Sequence, residues 1–185
     1  MDENLIRIRH ERSKKDFPYL KLEDDEFVEF AFKRARICYL AFFGALSAGA
    51  IIILLVFLMV LLNLDSIDAM GRNFVFIMVG ALITVILIAG CIGTMVFNGN
   101  RLFLTNKRAI QMLMESPLST STNIIDLKSV EDASFSQKGL LQKYFGYGTL
   151  RLSTVGDETT YTFKYSDISS SELKAVSKLI SEAKD

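Results

Sequence analysis

The sequence predicts a membrane protein in which a two-helix transmembrane hairpin is followed by a small α+β module closed by a C-terminal helix. Three observations carry that prediction. Two long apolar runs, residues 37–64 and 73–100, contain no Asp, Glu, Lys, Arg or His. After Arg101 the periodicity of apolar residues changes from helical to alternating, and the last 17 residues form one amphipathic stretch. Each apolar run exceeds the roughly 20 residues a helix needs to cross a hydrocarbon core about 30 Å thick. Only residues 65–72 separate them, so the chain crosses, turns and returns. The expected division is an N-terminal arm (1–36), a first transmembrane helix (37–64), a short extracytoplasmic loop (65–72), a second transmembrane helix (73–100) and a soluble module (101–185).

The arm opens with a mixed-charge stretch, Arg7 through Lys15, that holds the only histidine, His10. A lone histidine in a charged tail reads as solvated. Phe17, Pro18 and Tyr19 follow, then an acidic cluster of Glu23, Asp24, Asp25 and Glu26. The cluster lacks the ordered oxygen spacing and the glycine of a calcium loop and reads as a solvated helix cap. Between Phe27 and Arg36, acidic residues at the start and basic ones at the end suit a helix running into the first span. The phenylalanines there also allow a strand.

Orientation follows from basic residues beside the spans, which resist translocation. Lys33, Arg34 and Arg36 stand before the first span, and Arg101, Lys107 and Arg108 after the second. The loop has Arg72 alone, beside Asp65 and Asp68. Both termini are therefore expected in the cytoplasm, with the protein integral to the cell membrane. The 36 largely polar residues ahead of the first run make it a retained span rather than a cleaved signal.

Spans without ionisable groups or helix breaks read as an anchor, not a conduit. Small residues gather at matching depth: Gly44, Ala45, Ala48 and Gly49 in the first span, Ala89, Gly90 and Gly93 in the second. Small side chains let helix backbones approach closely. They suit packing of the two spans against each other, or a seam between copies of the chain. Cys38 and Cys91, the only cysteines, both lie in the apolar runs, so neither a disulfide framework nor a zinc site is expected.

In the module, residues 101–105 and 108–114 read as strands joined by a turn at Asn106 and Lys107. Residues 123–127 and 130–136 read as further short strands. Leu150, Leu152 and Thr154 alternate with Thr149, Arg151 and Ser153, while Tyr161, Phe163 and Tyr165 alternate with Thr162 and Lys164. Residues 155–158 supply the turn between these two strands, with Gly156 free to take positive φ. Ser169 stands three residues before Glu172, the spacing of a capping box. Leu173, Val176, Leu179 and Ile180 then line one helical face. Such a helix plugs one end of a bent sheet and covers its apolar inside.

Leu104-Thr105-Asn106-Lys107-Arg108, then Ile125-Asp126-Leu127, then Gly146-Tyr147-Gly148-Thr149-Leu150 and a final helix, all following two spans, resemble a known group. The chain looks like the bacterial pleckstrin-homology-like, membrane-flanked domain family, formerly a domain of unknown function. The resemblance covers Arg101 to about Lys184. It implies a PH-like barrel capped by the C-terminal helix, and it brings no catalytic residues. The dense basic cluster of a phosphoinositide site is missing from any one strand-linking loop.

Function-bearing chemistry is sparse. With 21 Lys+Arg against 21 Asp+Glu in the chain, and 11 basic against 10 acidic residues in 101–185, no basic field exists to hold nucleic acid. Phosphate-loop, dinucleotide and nucleophile-elbow motifs are missing, and no cysteine outside the apolar runs can act as a nucleophile. Neither an enzyme activity nor a cofactor or metal is expected. The suggestive surface is residues 137–147, where Lys138 and Lys143 interleave with Leu140, Leu141, Tyr144 and Phe145. It suits lipid or partner contact through Lys138, Leu140, Lys143, Tyr144 and Phe145. Leu141 and Phe145, four apart on a short helical turn, equally suit packing into the barrel. The expected function is a membrane-anchored PH-like binding or assembly module at the cytoplasmic face, its partners the bilayer and a membrane protein or further copies of the chain. Anionic-lipid sensing, or service as a small accessory subunit of a transport or secretion complex, are the alternatives.

Overall fold

Residues 101–185, the expected module, do not make the α/β unit by themselves. In the computed structural model, which describes residues 3–63, 68–154 and 160–184, the chain divides into an α/β unit built from Met1–Ala35 with Asn98–Asp185 and a helical unit, Arg36–Phe97. The arm supplies helix α1 (Glu3–Asp16) and strand β1 (Val28–Lys33). β2 (Arg101–Thr105), β3 (Arg108–Ser116) and β4 (Ser119–Asp126) complete an antiparallel sheet in the order β1-β2-β3-β4. A single 3₁₀ turn, Leu127–Ser129, leads to β5 (Val130–Ser136), which joins β6 (Tyr147–Thr154) and β7 (Thr160–Asp167) in a second antiparallel sheet. Between β5 and β6 lies the short helix α4 (Leu140–Phe145), and α5 (Ser170–Glu182) closes the chain.

Segment 28–33 is therefore a strand and not a helix, and its pairing gives the reason. Phe32 faces Leu102 and Lys33 faces Arg101 in antiparallel register. The chain leaves the sheet at Lys33 and returns at its paired neighbour Arg101, so the apolar hairpin is an insertion between two adjacent strands. β2 shows no alternation in sequence because both of its faces are covered. Leu102 and Leu104 enter the main core with Leu127, Val130, Leu150 and Phe163. Phe103 enters a smaller cluster with Leu20 and Ile110, against which Phe17 of the arm also packs.

α5 seals the main core with Val176 and Ile180, both buried. Its first turn carries the expected capping box: the Glu172 N–H donates to Ser169 Oγ at 3.2 Å, and the Ser169 N–H donates to Glu172 Oε2 at 2.8 Å. Replacing Ser169→Ala is expected to cost ~1 kcal/mol, read as a lowered thermal midpoint with an unchanged fold by circular dichroism. An unchanged midpoint would mean that the cap contributes nothing here.

Two strand details differ from the sequence reading. β4 starts at Ser119, four residues before the expected strand, because the polar run Ser119–Asn123 sits on the outer strand of the sheet, where solvent tolerates it. In β7 the alternation breaks at Tyr165, which takes φ 62°. Ser166 is buried in its place, and Tyr165 is exposed. The Tyr165 carbonyl accepts the N–H of Ala35 at 2.5 Å, the last residue before the helical unit, so the departure serves a tie to the arm. The proposed turn at 155–158 lies outside the described residues, as do residues 64–67 between the helices.

The helical unit consists of α2 (Arg36–Leu62) and α3 (Ala69–Gly99), of 27 and 31 residues. At 1.5 Å per residue they reach about 40 and 46 Å, long enough to cross a bilayer. Mean hydropathy is 3.0 and 2.9, and no residue of either most apolar window is buried, unlike the core helix of a soluble protein. The small residues behave asymmetrically. A Cβ at Gly90 would lie 3.8 Å from the Phe43 ring, and one at Gly93 would fall on the ring of Phe42. A Cβ at Gly44 or Gly49 would meet nothing within 4 Å. Ala48 is exposed and Ala89 half-buried. The expected meeting of two small-residue sets is corrected: α3 contributes small residues and α2 fills them with aromatic rings, because a phenyl ring recovers more dispersion contact than a second glycine. Tyr39 adds to this seam, its ring 5.2 Å from that of Phe97.

Candidate functional site

Two regions of the α/β unit hold the residues singled out from sequence. The first is α4, a helix of only six residues framed by Gly139 (φ 91°) and Gly146 (φ 73°). Residues with a Cβ rarely adopt such angles, so both glycines are needed for the chain to leave the sheet and rejoin it. Gly148 is needed for a different reason: a Cβ there would lie 2.6 Å from the Ser136 carbonyl oxygen and 2.7 Å from the Phe135 ring. Those two constraints account for the Gly-Tyr-Gly-Thr piece. Gln137 Nε2 donates to the carbonyls of Gln142 and Tyr147, each at 3.3 Å, and the Lys138 N–H donates to Gln142 Oε1 at 2.5 Å. These bonds hold the projection in one shape.

Its apolar side chains point away from the core. Leu140 is 87% exposed, Tyr144 83%, Leu141 67% and Phe145 46%. The packing of Leu141 and Phe145 into the barrel, one of the two readings from sequence, is thus overturned. Of the large apolar residues from 135 to 145, it is Phe135 that packs against the core. Lys138 and Lys143 are exposed as well. The structure brings all five nominated residues onto one projection.

The second region is assembled from segments far apart in the sequence. The acidic cluster does not cap a helix in solvent: it wraps the β2–β3 turn. Glu26 is fully buried, and its carboxylate accepts from Arg108 Nε (2.9 Å), Arg108 Nη2 (2.8 Å), the Thr105 hydroxyl (2.8 Å) and the Glu23 N–H (2.8 Å). Glu23 lies 3.3 Å from Arg108 Nη1. Asn106 accepts the Phe27 N–H at 3.0 Å and donates to the Asp25 carbonyl at 3.1 Å, while Lys107 donates to the Asp24 carbonyl at 2.8 Å. Each polar residue of Leu104-Thr105-Asn106-Lys107-Arg108 therefore grips the arm. His10 joins from α1, its Nδ1 donating to the Glu26 carbonyl oxygen at 2.6 Å, so the histidine is structural and not a solvated tail residue.

Burial pushes the Glu26 carboxyl toward protonation. Hydrogen bonds from Arg108, the Glu23 backbone and Thr105, with the attraction of the guanidinium, outweigh it and hold the carboxyl below its ordinary value. The hydrogen bonds to Glu26, with the charges of Glu26 and Glu23, raise Arg108 above its ordinary value against its own partial burial. Beside this lock opens a cleft of about 490 Å³ lined by Glu23, Lys107, Arg108, Ile124, Asp126 and Lys128. Its charges are of both signs and largely engaged. Asp126 Oδ1 accepts the Lys128 N–H at 3.0 Å, and Arg108 is spent on the arm. The arrangement is a structural clamp with no convergent set of acid, base and nucleophile.

The sequence contained two hints of the lock: four adjacent carboxylates without a purpose, and a strongly polar strand turn. Nothing local says that they meet across 79 to 85 residues.

Among known proteins, the family model described as bacterial PH domain matches residues 36–184. A crystal structure of a DUF1696 family protein with a pleckstrin-homology domain, from Shewanella loihica PV-4, is similar over 46% of this chain and 71% of that one. The identity is 15% and the TM-score 0.34, too low for an element-by-element comparison. No curated protein matches the sequence.

Proposed function

Because this chain belongs to the bacterial PH domain family, we propose that it is a non-catalytic binding module held at the cytoplasmic face of the cell membrane by its own apolar hairpin. One observation carries the reading: the hairpin is inserted between β1 and β2, and no more than two residues separate its helices from those strands. Tethering through two such short connections keeps the module at the membrane. Weak contacts then act at high effective concentration, and a modest interface suffices. The basic residues beside both connections favour the cytoplasmic side. The α4 projection is the binding face, and its partner is a component of the membrane.

Cysteine accessibility tests the anchor. In a chain with Cys38 and Cys91 replaced by alanine, Ala69→Cys is expected to react with a membrane-impermeant maleimide in intact cells. Lys14→Cys and Ser177→Cys, both at exposed positions, are expected to react only after permeabilisation. The reverse pattern, or labelling at all three sites from outside, would sink the topology.

A further inference from the structure

We propose that α4 is a wedge for an anionic bilayer: Leu140, Leu141, Tyr144 and Phe145 enter the headgroup region while Lys138 and Lys143 lie against its surface charge. The inference rests on the membrane-anchored reading above and names the binding partner of that projection. Four large apolar side chains are exposed together on six residues, an arrangement that costs solubility unless something covers it. Two features of the patch select a lipid surface over a protein.

The first is shape and size. A stable protein interface buries about 800 Å² on each side and draws on roughly 20–30 residues. α4 offers four apolar side chains on a convex projection. A fluid headgroup layer closes around a convex wedge without needing a matched cavity, and a tethered domain needs no minimum area to benefit. The second is charge. Residues 137–147 carry two lysines and no acid. The carboxylate nearest by strand pairing is Asp167, opposite Tyr147. Lysine stems and a tyrosine ring suit a boundary that is apolar on one side and wet on the other. The Gln137 and Gln142 bonds hold the projection in shape before contact, so little ordering is lost on docking.

The chain contains no tryptophan, so Tyr144→Trp supplies a single fluorescent reporter at an exposed position. The full-length protein is assembled into lipid nanodiscs of phosphatidylcholine, alone or mixed with phosphatidylglycerol, with and without bromine-labelled acyl chains. A blue shift with quenching by the brominated chains is expected in the anionic discs. Both are expected to be lost when Lys138→Glu and Lys143→Glu are added. All three substituted side chains are exposed, so circular dichroism should be unchanged. A water-like emission maximum in the anionic discs overturns the proposal. So does equal quenching in both lipids, which removes the role of the lysines. A blue shift without bromine quenching overturns it in favour of a protein occupant, including a second copy. Failure of the chain to enter discs at all would count against the anchored reading itself, whereas a well-assembled protein with a solvent-exposed tryptophan defeats the wedge alone.

Discussion

Expressed by itself, residues 101–185 should fail to fold, whereas residues 1–35 joined through a flexible turn to residues 98–185 should give a cooperatively folded unit. Deleting the arm removes β1 from the edge of β2 and strips Leu20, Phe27 and Phe32, all buried, from the unit. A buried Phe or Leu reduced to alanine costs roughly 2–5 kcal/mol, and here whole residues are lost. The sum of three such losses is on the order of 10 kcal/mol, comparable with the 5–15 kcal/mol that holds a domain together. The Glu26 clamp disappears as well, leaving Arg108 half-buried without its carboxylate. A short linker is enough for the joined form, because Lys33 and Arg101 are paired neighbours. Residues 98–100 must be kept. Asn100 is buried, and its side chain donates to the Met114 carbonyl at 3.0 Å and accepts the Met114 N–H at 3.3 Å, extending the ladder past the end of β2. Amide dispersion in a two-dimensional NMR spectrum separates the two forms. A dispersed spectrum and sharp melting for 101–185 alone would show that the arm is dispensable.

The second large effect is at the clamp. Glu26→Gln keeps the shape but leaves the Arg108 guanidinium facing a neutral group in a nearly closed site. Breaking one side of a buried ion pair typically costs 3–5 kcal/mol. Arg108 retains 18% exposure and still has Glu23 nearby, so the lower end, about 3 kcal/mol, is expected. For a unit of this size that lowers the melting point by ~10 °C. Adding Arg108→Met should recover most of the loss, since no desolvated charge is then left unmatched. If the double variant is no better than the single one, the cost lies in packing and not in the unpaired guanidinium.

Acid should act in the same direction as Glu26→Gln. The folded state holds the Glu26 proton less readily than the unfolded chain does, so the unfolded state binds more protons at low pH. The contribution is complete at neutral pH and fades as the pH falls below about 4.3, the carboxylate value of an unfolded chain. The full chain in detergent should therefore show a steeper acid loss of melting point than the double variant. Parallel curves for the two would remove Glu26 from the acid response.

Much of the fold is written in short-range spacing. The β2–β3 hairpin, β5, the β6–β7 pair and the capped α5 are all legible because alternation, turn residues and a capping box act within a few positions of one another. The apolar helices are legible for the same reason, since length and hydropathy are properties of a single segment. Tyr165 shows the limit of that reading. Its place in the alternation puts it inside, but the carbonyl is needed by Ala35, and that demand is not local. α4 shows another limit. Spacing of Leu141 and Phe145 marks a helical face correctly, but whether a face is covered depends on tertiary packing, and here the core takes Phe135 and leaves α4 outside. The arm was the least legible part: α1 has no sustained apolar stripe, and the choice between helix and strand for 28–33 rests on a partner strand that lies beyond the whole hairpin.

By itself, then, the sequence determined two helices apolar and long enough to span a membrane, most of the strands, and the helix that closes the core. Each of these follows from the periodic burial of nearby residues. Only the tertiary structure decided that the arm is the first strand of the α/β unit, that the acidic cluster is a buried clamp on the Thr-Asn-Lys-Arg turn, and that α4 stands outside the core. Those facts depend on which distant groups meet, and a buried carboxylate is stable only when its donors arrive from elsewhere in the chain. No spacing rule within one segment records that meeting.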